Sequence, residues 1–374
     1  MASEKQPTSR RSILKRSGLA LTAGTVGLAG CTGNNSGGGG SSGNGGGSGS
    51  SGNGGGSQSG SGGSSGGSEE VSIDLATTQP PENIMVQAIS EHFIDVIESE
   101  TDGRISVNLQ AATLGGSEDN MSALESGTVD IVSESPPTMA QRFAPEYSFA
   151  GDPFVIANMD HYKAVQEEYL MPEDGLNGIL MENGLRLGDS FRWGNRGFTS
   201  NFPVTTPEDV QGVKLRLPQF ETWTSVWGEI GAQPTPVPFD ELYSALQTGV
   251  ADASEGPIAQ FMSTSLYEVQ SHFSVTNHLL GVNHFILNDS FYQGLSSEDQ
   301  DLIMSTIEEA TGNITQMIRE NEQSLYDQAR DEGTTIVQRD EIDRQAFVDA
   351  GMPALESLSE SKWAANIDNV LDLA

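Results

Sequence analysis

An abrupt change of composition near residue 70 is the feature that most constrains how this chain can fold. Residues 32–68 consist only of Gly, Ser, Asn, Thr and Gln. Such a segment has almost no apolar surface to bury, so we expect it to stay disordered. From Val71 onward, strand and helix patterns alternate along the chain. The sequence therefore predicts a flexible linker over residues 32–70 and a folded body over residues 71–374.

The first 31 residues are predicted to be an export signal. Arg10 and Arg11 precede a short apolar run at 18–29, which is too short to span a bilayer. A basic start followed by such a run is typical of a signal peptide, and the adjacent arginines resemble a twin-arginine signal. The run ends in Leu-Ala-Gly-Cys, which resembles a lipobox. We therefore expect lipidation of Cys31 to tether the protein to the outer face of the cell membrane.

The chain is strongly acidic. Its formal net charge is −34, with 52 Asp and Glu residues against 18 Lys and Arg residues. Such a surface repels nucleic acid, which excludes nucleic acid as an expected partner. Many acids with few lysines indicate solubility in concentrated salt, where the Debye length falls to roughly 3 Å at 1 M. We therefore expect a halophilic source.

Neither a metal nor a cofactor is expected. Cys31 is the only cysteine, which rules out a disulfide within the chain and a thiolate metal cluster. The five histidines show no spacing that is typical of metal ligands. The motifs of serine hydrolases, zinc proteases and phosphate-binding loops are missing from the sequence. The chain is therefore not expected to be an enzyme.

The folded region alternates strand and helix signals in two cycles. This rhythm predicts an α/β fold with a mostly parallel sheet. The signals are strands at 71–77, 105–110, 129–135, 185–193 and 213–217, helices at 82–100, 219–230 and 241–248, and a tight turn at 234–239.

Residues 296–331 carry one long amphipathic pattern. A helix of this length approaches about 50 Å at 1.5 Å per residue, which is too long for one small lobe. We therefore predict that it crosses two lobes with a cleft between them, the alternative being two helices broken at Gly312. A cleft between lobes is a preferred place for a ligand. The first lobe is assigned to residues 71–193 and about 282–315, and the second to 194–281 and about 316–374.

Basic side chains concentrate at the start of the predicted second lobe. Four of them lie within 25 positions, namely Arg192, Arg196, Lys214 and Arg216. Arg216 lies at the C-terminal tip of a predicted strand that ends at Pro218, where α/β sheets bind ligands. A guanidinium can hold a carboxylate with two hydrogen bonds. The sequence therefore predicts that Arg216 binds a carboxylate, whereas Lys214 faces solvent.

Four segments resemble the substrate-binding subunits of TRAP transporters. They are TDGRISVNLQAATLGGSEDNMSALESGTVDIV (101–132), PEYSFAGDPFVIAN (145–158), GNRGFTSNFPVTTPEDVQGVKLRLP (194–218) and GAQPTPVPFDELYSALQTGVADASEGP (231–257). The resemblance implies a two-lobed fold that closes on a small carboxylate, a long helix through both lobes and delivery to the membrane subunits of a sodium-driven TRAP permease. The binding protein of an ATP-driven (ABC-type) importer is the alternative, because it shares the two-lobed fold and the export signal.

The resemblance also implies site residues. Arg216 occupies the position of the family's carboxylate-binding arginine, and Arg196 that of a second arginine that commonly helps to hold the ligand. Glu118 lies in a first-lobe stretch that often faces the cleft. Glu255, which lies where many members read Gln-Glu-Asn-Pro, is expected to contact the ligand. Gly256 replaces the family's asparagine, so this side-chain contact is expected to be missing, which would leave room for a bulkier ligand.

Five large aromatic residues lie near these positions. Core packing is the expected role of such side chains, including Trp193, Trp223 and Phe239. Phe198 and Phe220 are the first choices for pocket walls, because they neighbour the arginines in the sequence.

Overall fold

The computed structural model describes residues 69–374. The predicted export signal, Cys31 and nearly all of the predicted linker lie outside the described residues. Within the described range, no helix combines the length and the apolar character needed to cross a membrane.

Nine strands of the described region form two sheets. The larger sheet has the order β2-β1-β3-β8-β4-β7, with β9 beside β8, and β5 pairs with β6 in a separate parallel sheet. The strands are β1 (Val71–Thr77), β2 (Ile105–Ala111), β3 (Ile131–Glu134), β4 (Leu185–Ser200), β5 (Lys214–Leu217), β6 (Gln233–Pro236), β7 (Ser254–Pro257), β8 (His272–Asn288) and β9 (Thr335–Val337).

The helices pack around these sheets. They are α1 (Ile84–Ile89), α2 (Asp95–Glu100), α3 (Ser117–Glu125), α4 (Pro136–Phe143), α5 (Met159–Val165), α6 (Leu176–Glu182), α7 (Glu221–Ile230), α8 (Leu242–Thr248), α9 (Ile258–Ser263), α10 (Asp289–Gly294), α11 (Ser297–Asp331), α12 (Arg344–Ser361) and α13 (Ile367–Leu371). A π-helical turn at Ser90–Ile94 joins α1 to α2, so the helix predicted at 82–100 is present with one distortion.

The α/β fold is confirmed, but two details of the prediction are wrong. The larger sheet is mixed, because β1 pairs in parallel with β2 and β3, whereas β8 pairs antiparallel with both β3 and β4. The predicted tight turn at 234–239 begins as strand β6, because its backbone pairs in parallel with β5. The alternation of apolar and polar residues within one segment does not indicate the direction in which β8 pairs or the partner of β6.

β4 and β8 are the two strands that connect the lobes. β8 pairs with β3 of the first lobe near its C-terminal end and with β9 near its start, while β4 pairs with β7 of the second lobe near its C-terminal end. In the middle of this ribbon Gly194 lies opposite Gly281. Gly194 has a φ of +134°, and a Cβ atom on Gly281 would lie 2.8 Å from the Gly194 carbonyl oxygen. Glycine is therefore required at both positions.

Helix α11 crosses both lobes as predicted. It is one uninterrupted helix of 35 residues, so the alternative of a break at Gly312 is wrong. Its first half buries side chains such as Ile307 in the core around β1 and β3. Its last turns bury Ala329 in a separate core beside Leu242 of the second lobe. A single rigid element thus supports the two halves.

The predicted lobe boundaries stay a prediction. The C-terminal tail, which was assigned to the second lobe, contacts both halves of the molecule. Gly351 in α12 packs against Ile230 of α7, which lies in the predicted second lobe. The carbonyl oxygen of Val370 lies 2.7 Å from Nε2 of His161, which lies in the predicted first lobe.

Candidate ligand-binding cleft

A cleft lies between the two lobes, close to the middle of β8. It contains about 730 Å³ of empty space, and an adjoining hollow of about 780 Å³ shares part of its wall and extends it outward. The polar side chains of the inner wall include Glu134, Thr138, Arg196, Arg216, Gln260 and Asn283.

Arg216 lies in the wall of both hollows and is only 2 % exposed. Its Nε donates a hydrogen bond to the carbonyl oxygen of Val237 at 2.9 Å. Within residues 69–374 that is the one hydrogen bond of its side chain, and it belongs to none of the ion pairs there. Burial lowers the pKa of Arg216 to about 10. The side chain therefore stays cationic at neutral pH with two nitrogens available to a ligand.

Arg196 also lies in the cleft wall, but its charge is already paired. Its Nη2 donates to Oε1 of Glu255 at 2.7 Å, and its Nε donates to Oε2 of the same carboxylate. Its guanidinium lies over the rings of Trp193 and Trp223, at 5.6 and 5.1 Å from their centroids. Such a bidentate pair fixes the direction of the side chain. Nη1 remains without a hydrogen bond to the described residues.

Glu255 is completely buried behind Arg196, and its carboxylate does not reach the cleft wall. His278 Nε2 lies 3.2 Å from Oε2 of the same carboxylate. Burial raises the pKa of Glu255, but the charge and hydrogen bonds of Arg196, aided by His278, lower it to about 2. The predicted direct contact between Glu255 and the ligand is therefore corrected, since both carboxylate oxygens are engaged by protein groups.

Glu118 lies in the outer hollow and not in the inner cleft. Its side chain is 60 % exposed and forms an ion pair with Arg142 at 2.6 Å. It thus faces the cleft entrance from the first lobe, beside a cation that it shares with Glu125.

Four of the five aromatic residues lie elsewhere than predicted. Phe220 lines the cleft as predicted. Phe198 does not, because it is fully buried against Trp227 with 5.6 Å between ring centroids. Trp193, Trp223 and Phe239 were expected in the core, yet all three line the cleft. The distance along the sequence from an arginine does not predict which aromatic side chain lines the cleft, because the register of β4 shifts between Arg196 and Phe198.

The space beside Gly256 is filled by a protein side chain. A Cβ atom built there would lie 2.7 Å from Nε2 of Gln260. Gln260 is buried and lines the cleft, so its amide occupies the space that the glycine provides. The space expected for a bulkier ligand is therefore taken up here by a side-chain amide from α9, which reaches the cleft from a different position.

The sequence comparisons agree with this geometry. The family described as bacterial extracellular solute-binding protein, family 7 (DctP), matches residues 75–362. The chain belongs to this family. A solute-binding protein of Roseobacter denitrificans is 30 % identical over 272 residues, which cover 72 % of this chain and 81 % of that protein. The ectoine-binding periplasmic protein of Halomonas elongata is 29 % identical over 267 residues, which cover 69 % of this chain and 76 % of that protein.

A solved structure of similar shape is a TRAP periplasmic solute-binding protein of Roseobacter denitrificans with bound L-galactonate. It is 26 % identical to this chain and has a TM-score of 0.72. The match covers 82 % of this chain and 99 % of that structure. These relatives are binding proteins, and the family match favours the TRAP assignment over the ATP-driven alternative.

In this solute-binding protein, hydrogen bonds join the lobes beside the cleft. The Thr222 hydroxyl donates to Oδ1 of Asp152, and the indole Nε1 of Trp223 donates to the carbonyl oxygen of Gly151 at 2.9 Å. Burial raises the pKa of Asp152 to about 7, although its hydrogen bonds oppose the shift. The second carboxylate oxygen of Asp152 is buried without a partner.

The first lobe contributes polar groups that sequence reasoning missed. Glu134 is buried at the end of β3, and Asn283 is buried in the middle of β8, and both line the cleft. The end of a strand was a usable signal for Glu134, but no sequence pattern distinguishes Asn283. Among the described residues, no cluster of three or more His, Cys, Asp or Glu is arranged to hold a metal ion.

Proposed function

We propose that Arg216 is the residue by which this TRAP-type solute-binding protein captures a small organic carboxylate. The single observation that carries the proposal is a buried guanidinium in the cleft with no counter-ion among the described residues. A buried charge is costly unless it is paired. A ligand carboxylate supplies the missing charge and accepts hydrogen bonds from the two terminal nitrogens.

Arg196 and Phe220 complete this wall of the site. Arg196 is held by Glu255 in one direction, so its free Nη1 can add a hydrogen bond without a change of conformation. Phe220 provides an apolar surface at the junction of the two hollows. Glu255 acts through Arg196 as a positioning residue, and Glu118 lies at the entrance.

Ligand capture is coupled to closure of the lobes. The contacts of Thr222 with Asp152 and of Trp223 with Gly151 join the lobes next to the cleft. A ligand that contacts both walls binds the closed form better than the open form, which shifts the population toward closure. The closed protein then delivers the carboxylate to the membrane subunits of a TRAP permease, which are the expected partner.

The test measures binding after removal of the guanidinium. A thermal-shift screen of organic acids first identifies a ligand, because a ligand stabilises the folded protein by mass action. Calorimetry with that acid is expected to show an affinity loss of about 2–4 kcal/mol for Arg216→Ala, and Arg216→Lys retains the charge but loses the two-pronged contact.

Lys214→Ala is the matched control. Lys214 lies two residues away on the same strand and is exposed, and it was predicted to face solvent. We expect it to bind the acid as the unchanged protein does. Equal affinity of Arg216→Ala and the unchanged protein would refute the assignment.

We also propose that lipidated Cys31 tethers the protein after twin-arginine export. The support is the basic start, the short apolar run and the small residues before a lone cysteine. The 37 residues at 32–68 would give a flexible tether about 30–35 Å in r.m.s. length. Mass spectrometry of the mature N-terminus is the test, and a mature protein with an unmodified Cys31 would remove the anchor.

The acidic surface further supports a halophilic habitat. A net charge of −34 produces strong self-repulsion at low ionic strength, which salt screens. Circular dichroism during dialysis from concentrated to dilute salt is expected to show unfolding. Retention of the folded spectrum in dilute salt would count against this proposal.

A further inference from the structure

A hollow on the opposite face of β4 from the cleft has a wall of basic and amide side chains. Asn195 lines this hollow, whereas Arg196, the next residue along β4, lines the cleft. Successive side chains of a strand point to opposite faces. The other polar residues of the wall are Asn277, Arg339 and Arg344, and none of the described residues that line it is acidic. In a chain with a formal net charge of −34, a basic wall without a carboxylate calls for an explanation.

The two arginines of this wall have no acidic partner among the described residues. Arg339 and Arg344 form no ion pair there, whereas most basic side chains of the described region do. Three acids lie between the two arginines in the sequence. The carboxylates of Glu341 and Asp343 accept hydrogen bonds from backbone amides at 2.8 and 3.1 Å, and Asp340 is exposed. Neighbouring acids therefore do not pair with these guanidinium groups.

Arg344 is held in place with its terminal nitrogens unused. Its Nε donates to the carbonyl oxygen of Asn277 at 3.3 Å, and its guanidinium lies over the ring of Phe154, at 5.9 Å from the centroid. Its Nη1 and Nη2 make no hydrogen bond to the described residues. Burial and the charge of Arg339 both lower the pKa of Arg344. The two cations are thus close enough to act on each other, and no carboxylate of the described wall relieves their repulsion.

The two asparagines of the wall add neutral donors. Asn195 and Asn277 are half-buried, and neither side-chain amide makes a hydrogen bond to the described residues. Each amide carries two N–H donors. The wall therefore offers two cations and two amides, which together are complementary to an anion with several acceptor oxygens.

We propose that this hollow binds a tetrahedral oxyanion with two negative charges, such as sulfate or a phosphate group, between Arg339 and Arg344. Two guanidinium groups balance two charges, and their planar forks match the oxygen atoms of such an anion. A monovalent anion leaves one guanidinium unbalanced. The bound anion joins the C-terminal segment that carries both arginines to the ribbon of β4 and β8. This site is separate from the cleft, so the inference does not rest on the proposed role of Arg216.

Equilibrium dialysis with radiolabelled sulfate measures binding to the full-length protein. The ionic strength is held at about 1 M with sodium chloride, because long-range repulsion by the acidic surface is then screened. We expect saturable binding at a single class of site. Phosphate and methyl phosphate, both largely dianions at about pH 8, should displace sulfate, and the stronger competitor tells whether a free ion or a phosphate ester fits better. Nitrate should need at least about a 10-fold higher concentration, because it balances only one guanidinium.

Arg339→Gln and Arg344→Gln test the assigned residues. Each change removes one cation and should weaken sulfate binding about 10- to 100-fold, as for a hydrogen bond to a charged group. Arg319→Gln is the matched control, because Arg319 is exposed on α11 and does not line the hollow. It removes the same charge and should bind sulfate as the unchanged protein does. Since Arg339 is exposed, its variant remains a test if Arg344→Gln does not fold.

Arg216→Gln separates this inference from the proposed function. It should bind sulfate normally, and Arg339→Gln should bind the organic acid found by the screen normally. Loss of sulfate binding in Arg216→Gln alone would place the anion in the cleft and overturn the inference. An equal loss in Arg319→Gln, binding that does not saturate, or competition by nitrate as strong as that by phosphate would also overturn it. None of these results changes the loss of organic-acid binding expected for Arg216→Ala.

Discussion

Two buried charged regions of this protein differ in one respect, which is whether each charge has a partner. At the junction of β4, β7 and β8, Arg196, Glu255 and His278 form a connected cluster. In the cleft, Arg216 and Glu134 are buried to a similar degree, but neither has a counter-ion among the described residues. The paired charges are satisfied by the fold itself, whereas the unpaired ones lie where the proposed ligand would bind.

Two buried carboxylates show the same contrast. Arg196 helps to lower the pKa of Glu255 to about 2, whereas burial without a cation raises that of Asp152 to about 7. Glu255 thus contributes stability that is present above its unfolded pKa of 4.5 and is lost as pH falls toward 2. The contribution of Asp152 has the opposite dependence, since it is present at low pH and is lost as pH rises toward 7.

The largest effect is expected when the paired cluster is broken. Arg196→Met leaves the carboxylate of Glu255 buried without its cation and should lower the free energy of unfolding by about 3–5 kcal/mol. Replacing both residues by Met is expected to cost less than the single change, since no charge is left alone. Chemical denaturation measures both variants.

Arg330→Met is the control for a pair at the surface. Arg330 and Asp327 form an exposed ion pair, which should contribute no more than about 1 kcal/mol. If Arg196→Met lowered the free energy of unfolding by as little as Arg330→Met, the buried pair would not be a structural element of the fold.

How far the sequence could predict this contrast depends on the range of the interactions. The position of Arg216 at the end of a strand could be predicted, because the strand pattern, the arginine and Pro218 lie within three positions of one another. The pairing of Arg196 with Glu255 joins residues 59 positions apart. Single-sequence patterns carry no signal for such a contact.

The pocket walls were harder to predict for the same reason. Phe198 and Trp193 lie on one strand, β4, whose register shifts decide which side chain faces the cleft. Alternation along an ideal strand cannot anticipate these shifts. The long helix α11, by contrast, was predicted to within one residue at its start, because its amphipathic repeat is local.

Asp152→Asn tests the unpaired carboxylate. The folded protein holds the Asp152 proton to about pH 7, while the unfolded chain releases it near 3.8. The free energy of unfolding should therefore fall as pH rises from about 4 to 7, by up to about 4 kcal/mol from this residue. Asparagine removes this contribution and keeps an acceptor for the Thr222 hydroxyl, so the variant should show a flatter profile.

Denaturation curves at several pH values measure this difference. Asp340→Asn, at an exposed position, is the matched control. If the profile of Asp152→Asn were as steep as that of the unchanged protein, burial of an unpaired carboxylate would not be the source of the slope.

The smallest effects are expected from two phenylalanines that sequence reasoning treated alike. Phe198→Leu alters the packing against Trp227 and should cost about 1 kcal/mol of stability with little change in the affinity for the acid found by the screen. Phe220→Leu alters the cleft wall and should weaken that affinity several-fold with a smaller loss of stability. Thermal unfolding and calorimetry on both proteins give the two quantities. The opposite pattern would place Phe198 in the wall, and the division between the structural cluster and the binding cleft would then have to be drawn elsewhere.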